Sequence, residues 1–115
     1  MKQDMELFRS ILIIVESSDS PNGCQVDVPG YTPEQVCEHA KQAQEAGLIE
    51  ARFVPNIPRF HVLRLTYAGH TFLNHARSNT IWEKTKEFVL KTTGSLSLEA
   101  VKIALPLIIK HQFGA

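Results

Sequence analysis

Apolar positions along this chain switch between helical and strand spacing, and each switch marks a predicted boundary. Met5, Phe8, Ile11, Leu12 and Val15 recur at helical spacing, with Leu7 and Ile14 widening the stripe, which predicts a core-facing helix from Asp4 to about Glu16. Ser17 to Gly23 strings turn formers together and reads as a loop. Gln25 to Val28 alternates polar and apolar, predicting a short strand that Pro29-Gly30 ends. Thr32 to Gly47 then predicts a helix marked at both ends: Thr32 caps it, Pro33 fills the first helical position, Gln35 completes a capping box and Gly47 stops it. Its apolar stripe, Val36, Ala40, Ala43 and Ala46, is narrow. Leu48 to Val54 and Arg59 to Leu65 read as a hairpin around Pro55-Asn56-Ile57-Pro58. Thr66 caps a further helix to about Ser78, with Phe72, Leu73 and Ala76 facing inward.

At Asn79 that stripe loses register, because Asn79, Thr80 and Glu83 stand where apolar residues are needed and the apolar pair is Ile81-Trp82. A separate helix from Ile81 to Lys91, closed by Gly94, is the prediction, followed by a last helix from Leu98 to Gln112 capped by Ser95 or Ser97. Pro106 lies inside it and costs about 3 kcal/mol there, so a kink or break near Ala104 is expected. Apolar residues surround this helix on nearly all sides, so it must be buried, either in its own core beside the first helix or against another subunit. Two-fold dimers being the commonest oligomers, a homodimer through Leu98, Val101, Leu105, Ile108 and Ile109 is expected. The fold class is α+β, mainly α, with a core over 1–78 and a helical extension over 79–115.

Two segments carry a resemblance. Glu45-Ala46-Gly47-Leu48-Ile49 resembles the end of a recognition helix, and Leu65-Thr66-x-x-Gly69-x-x-Phe72-Leu73 resembles the segment that follows a wing, so the order of elements looks like a winged helix-turn-helix. The beginning MKQDMELFRSILIIVE, the GYTPEQV start and RLTYAGHTFLNHARSNTIWEKTK are similar to a family of bacterial and phage proteins with no established activity. The resemblance implies a winged-helix core with a helical tail and, as an expectation, a DNA-binding transcriptional regulator. The chain departs from the pattern in one place: only QVDVPGY separates the loop from Thr32, so the helix that usually precedes the recognition helix is missing or replaced by strand. A winged helix that binds protein instead of DNA is the alternative.

Charge bears on that choice. Formal net charge is zero, but Met1 to Glu50 holds nine acids against Lys2, Arg9 and Lys41, whereas Ala51 to Trp82 holds Arg52, Arg59, Arg64 and Arg77 with no acid. On the capped helix Gln35, His39, Lys41 and Gln42 are candidate base or phosphate contacts, yet Glu34, Glu38 and Glu45 oppose approach to phosphate and leave a solvated helix face as the competing reading. Arg52, Arg59 and Arg64 on the hairpin are candidate backbone contacts for double-stranded DNA, or partners for acids of the first half.

Other chemistry is not signalled. Cys37 and His39, or His70 and His75, diverge around their helices, and no metal-ligand spacing, phosphate loop or nucleophile elbow occurs, so no metal, cofactor or enzyme activity is expected. Alanine-lined helices leave little room for a small-molecule pocket. With 115 residues, two cysteines expected to be reduced, no run of about 18 apolar residues and no basic leader, a cytoplasmic single domain is the expectation.

Overall fold

In the computed structural model, which describes residues 4–18 and 25–113, the chain runs α1 (Met5–Ser17), α2 (Pro33–Glu45), β1 (Ile49–Phe53), β2 (Phe60–Leu65), α3 (Tyr67–Ala76), α4 (Asn79–Thr93) and α5 (Leu98–Phe113). The architecture is α+β, mainly helical, with one two-stranded antiparallel sheet among the described residues. Most of the loop expected up to Gly23, together with Cys24, lies outside the described residues.

Each helix starts on a side chain that satisfies amide groups the helix itself leaves open. Asp4 Oδ1 accepts from the amides of Glu6 and Leu7, at 2.9 and 3.3 Å. Thr32 and Gln35 form the reciprocal capping box, with bonds of 2.9 and 3.1 Å. Thr66 Oγ1 caps α3 through Gly69, Ser78 caps α4 through Ile81, and Ser97 caps α5 through Ala100. Ser78 accounts for the lost register: α3 stops at Ala76, and α4 starts two residues before the expected Ile81. Gly94, at φ 82°, closes α4.

The carboxyl end of α2 is the most closely held junction. Gly47 adopts φ 80°, its amide donates to Gln44 O at 2.9 Å, and the amide of Leu48 donates to Ala43 O at 3.0 Å, the double bond pattern of a Schellman cap. The next three carbonyls are each taken by a later element. Ala46 O accepts from Lys102 Nζ of α5 at 2.6 Å, Gly47 O from the Thr66 hydroxyl, and Leu48 O from the Thr66 amide at 3.0 Å. Gly69 sits against the same carbonyl, and a Cβ there would fall 1.9 Å from Leu48 O.

Across the hairpin, Ile49 pairs with Leu65 and Phe53 with Phe60, with a bulge that leaves Leu63 as the extra residue between the Glu50–Arg64 and Ala51–Val62 pairs. Ile49, Phe60, Val62 and Leu65 enter a core shared with Phe8, Ile11 and Leu12 of α1. Trp82 of α4 is fully buried in that core, edge-on to Phe72 of α3 at 6.1 Å.

Two expectations change. Gln25 to Val28 is not a strand; Val26 is buried, but the segment leads into a tight turn in which Tyr31 N bonds Val28 O at 3.3 Å, with Pro29 and a positive-φ Gly30 at the centre. Alternation placed the right side chain inward, but among the described residues no neighbouring backbone pairs with it as a strand. Second, α5 runs through Pro106 as one unbroken helix. Of the two covers expected for the apolar face of α5, its own chain supplies one: Leu98, Val101 and Leu105 are buried, and Ile108 and Ile109 pack half-buried against the core. The chain turns by 118° between α4 and α5, which brings α5 back onto α3 and α4. Among the described residues, Ile103 and Leu107 are the large apolar side chains that α5 leaves exposed.

Candidate functional site

The candidate contact residues of α2 fare differently one from another. His39 is buried in the core at 2% exposure, its ring 4.8 Å from that of Phe8, so it is withdrawn from the surface face expected for it. Gln35 is committed to the capping box. Gln42 is half-buried. Lys41 is exposed, with Nζ 5.8 Å above the Phe53 ring, so its charge leans over the tip end of the hairpin.

The four arginines between Ala51 and Trp82 divide in two. Arg64 pairs with its cross-strand neighbour Glu50 at 2.6 Å and also reaches Leu65 O, and Arg77 pairs with Glu16 of α1. For these two, acids from the first half of the chain are the partners. Arg52 and Arg59 are exposed and make no ion pair among the described residues.

Where the hairpin tip passes α2 there is an open cleft of about 360 Å³. Glu34, Glu38 and Lys41 supply one wall, and Phe53, Val54 and Ile57 the other. Val54 and Ile57 are 42% and 49% exposed, an apolar pair presented to solvent beside two carboxylates that form no ion pair among the described residues. Cys37 lies at the back of the cleft, and burial pushes its thiol above the ordinary range, which makes it a poor nucleophile at neutral pH. Among the described residues no three His, Cys, Asp or Glu side chains gather as a metal site.

Residues 2–95 match a protein family described as "Hypothetical protein (DUF2513)". The chain belongs to that family. An uncharacterised protein of Haemophilus influenzae is 34% identical over 115 residues, covering 96% of this chain and 98% of its own. No solved structure matches the chain. The family match spans α1 to α4 and ends before α5, whereas the Haemophilus relative aligns along nearly the whole length.

This DUF2513 protein also contains a polar lattice that sequence spacing does not disclose. The backbone amide of Asp4 donates to His39 Nε2 at 2.9 Å, and His39 Nδ1 donates to Gln35 O at 2.8 Å. An amide can only donate and a carbonyl can only accept, so the ring is held as the neutral Nδ1–H tautomer. Tyr31 donates to Asp4 Oδ2 at 2.8 Å, and this bond, with burial, raises the phenol above its usual range. On the other side of the α1 start, Glu6 Oε1 accepts from Trp82 Nε1 and Lys86 Nζ, each at 2.6 Å. Burial would push the Glu6 carboxyl up, but the bonds from Lys86 and Trp82, with the charges of Lys86 and Arg9, outweigh it and hold the carboxyl below its usual range. Lys86 is the converse case: burial opposes its charge, and Glu6 and Glu83 more than restore it.

One signal could have removed His39 from the surface list. It lies three residues after Val36 and four before Ala43, on the inward stripe of α2. The Glu6–Trp82 contact joins residues 76 apart, and no local pattern foretells it.

Proposed function

We propose that this protein is a winged-helix module that works by binding a protein partner in the cleft between α2 and the hairpin tip. The order α1, α2, hairpin, α3, with α2 ending directly into the hairpin, supports the winged-helix reading. The observation that carries the function is the cleft itself. An exposed apolar pair, Val54 and Ile57, faces Glu34 and Glu38 across a gap large enough for side chains of a partner. Those carboxylates repel phosphate and suit a segment that carries lysine or arginine next to an apolar side chain. Two of the groups on α2 that could have read bases, Gln35 and His39, are engaged inside the protomer.

DNA binding is the second reading, and Arg52 and Arg59 favour it, since exposed guanidinium groups on a hairpin are suited to phosphate. One pair of experiments separates the two. In a gel-shift titration at about 50 mM salt, where electrostatic binding is strongest, the partner reading expects no retardation of random duplex. Retardation that Arg59→Glu abolishes and that Glu38→Gln preserves or strengthens would transfer the assignment to DNA. In extracts of the native cells, the tagged full chain should retain a specific protein that Ile57→Asp and Glu38→Lys both release and that Leu107→Asp, on α5, does not.

A further inference from the structure

Between α3 and α5 lies a second cavity, of about 290 Å³, away from the cleft described above. Phe72, Leu105 and Pro106 give it apolar walls, Tyr67 stands at its edge 87% exposed, and among the described residues its only ionisable neighbours besides that phenol are His75 and Lys102, with no carboxylate in the lining. Lys102 spans two elements: it lines the cavity from α5, and its Nζ donates to Ala46 O at the carboxyl end of α2, at 2.6 Å. An ammonium has three N–H groups, and among the described residues no second partner for this one is found.

We propose that this cavity binds a small amphiphilic carboxylate, its apolar chain or ring against Phe72, Leu105 and Pro106 and its anionic end on Lys102. The volume stands at the lower end of the range of about 300 to 1,000 Å³ usual for ligand sites, so the ligand is small. The apolar walls call for an apolar body, and a cation with unused donors, in a lining free of acids, calls for an anion. Because the same ammonium holds Ala46 O, a bound carboxylate competes for it and is felt at the end of α2. Whatever α2 binds, that coupling is reciprocal: a partner that alters α2 alters affinity in the cavity by the same factor. The inference stands independently of whether the cleft takes protein or DNA.

The test is an NMR titration of the isotope-labelled full chain with sodium octanoate, with octanol as the uncharged control. Octanoate should give saturable shifts with half-saturation at or below about 1 mM, confined to amides of α3 and α5 around the cavity and to Ala46 and Gly47. Octanol should bind at least about ten-fold more weakly, and Lys102→Gln should bring octanoate down to the level of octanol. Thr71→Trp, which places an indole in the cavity, should abolish both. Equal binding of octanoate and octanol to the wild type, shifts that map elsewhere, or octanoate binding that survives Thr71→Trp would overturn the proposal. If Lys102→Gln does not fold, the wild-type comparison and Thr71→Trp decide it.

Discussion

The two ends of α2 are held by different physics. At its carboxyl end the backbone itself is gripped: a left-handed Gly47, three consecutive carbonyls given donors by Lys102, the Thr66 hydroxyl and the Thr66 amide, and Gly69 seated where no side chain fits. At its amino-terminal half, side chains do the holding, with His39 joined to Asp4, Asp4 to Tyr31, and Glu6 close by on Trp82 and Lys86. The first end depends chiefly on backbone shape. The second depends on protonation states and on hydrogen bonds whose loss leaves polar groups stranded. A helix fixed firmly at one end and through titratable groups at the other has its rigid end next to the α3–α5 cavity and its adjustable half next to the cleft at the hairpin tip.

Gly69→Ala should break the first end outright. The added Cβ would fall 1.9 Å from Leu48 O, which is backbone and cannot swing aside, so α3 must move away from the hairpin start. A loss of about 3 kcal/mol or more is expected, at the upper end of overpacking effects, and a urea midpoint unchanged from wild type would contradict the packing of α3 on Leu48. His39→Ala attacks the other end. It strands the Asp4 amide and opens space beneath Phe8, for a loss of about 2 to 3 kcal/mol in the same denaturation series. Amide exchange distinguishes the two variants: His39→Ala should speed exchange at the start of α1 and leave Leu48 protected.

How far these ends were legible follows from the same contrast. The stop of α2 could be read because glycine just past a helix end has a local meaning that needs no knowledge of distant partners, whereas the seat of Gly69 against Leu48 O is a tertiary contact that spacing does not announce. The hairpin was legible for the same reason, its turn residues standing between two apolar runs. The amino-terminal lattice was not, since Glu6 with Trp82 and Lys86 are united only after α4 has packed on α1. Val26 alternated as a strand residue does, but pairing needs a neighbouring backbone that a single segment cannot announce. For α5, all-round apolarity demanded burial without saying against what; the turn after α4 supplied the cover from the same chain. Of the candidate site, Arg52, Arg59 and Lys41 stand on the surface as expected, whereas the burial of His39 and the pairing of Arg64 with Glu50 depended on tertiary contacts.

Gly47→Ala is the sharper probe of the carboxyl end, because nothing lies within 4 Å of a Cβ placed there and the whole effect must come from φ 80°. A loss of about 1 to 2 kcal/mol is expected, the strain of a left-handed alanine. Gly47→Asn should recover part of it, since asparagine tolerates that region. Equal losses in Gly47→Ala and Gly69→Ala would mean that steric overlap at Leu48 had been relieved by movement.

The smallest effect belongs to the lattice and is read through pH. The Glu6 carboxyl is held below its ordinary range in the folded chain, so the folded state favours its ionised form more than the unfolded state does. Its contribution is therefore fully present above the unfolded value of about 4.3 and is lost as pH falls through the lower folded value. Because the Glu6 side chain is half exposed, the amount stays below about 1 kcal/mol. Glu6→Gln keeps the shape but removes the charge, so the stability difference between wild type and variant should be constant from neutral pH to about 5 and shrink below it. Comparing the two by urea titration at each pH isolates this carboxylate from the other acids. A difference that widened on acidification would mean that the bonds from Trp82 and Lys86 do not favour the charged form, and the lattice at the start of α1 would have to be redrawn.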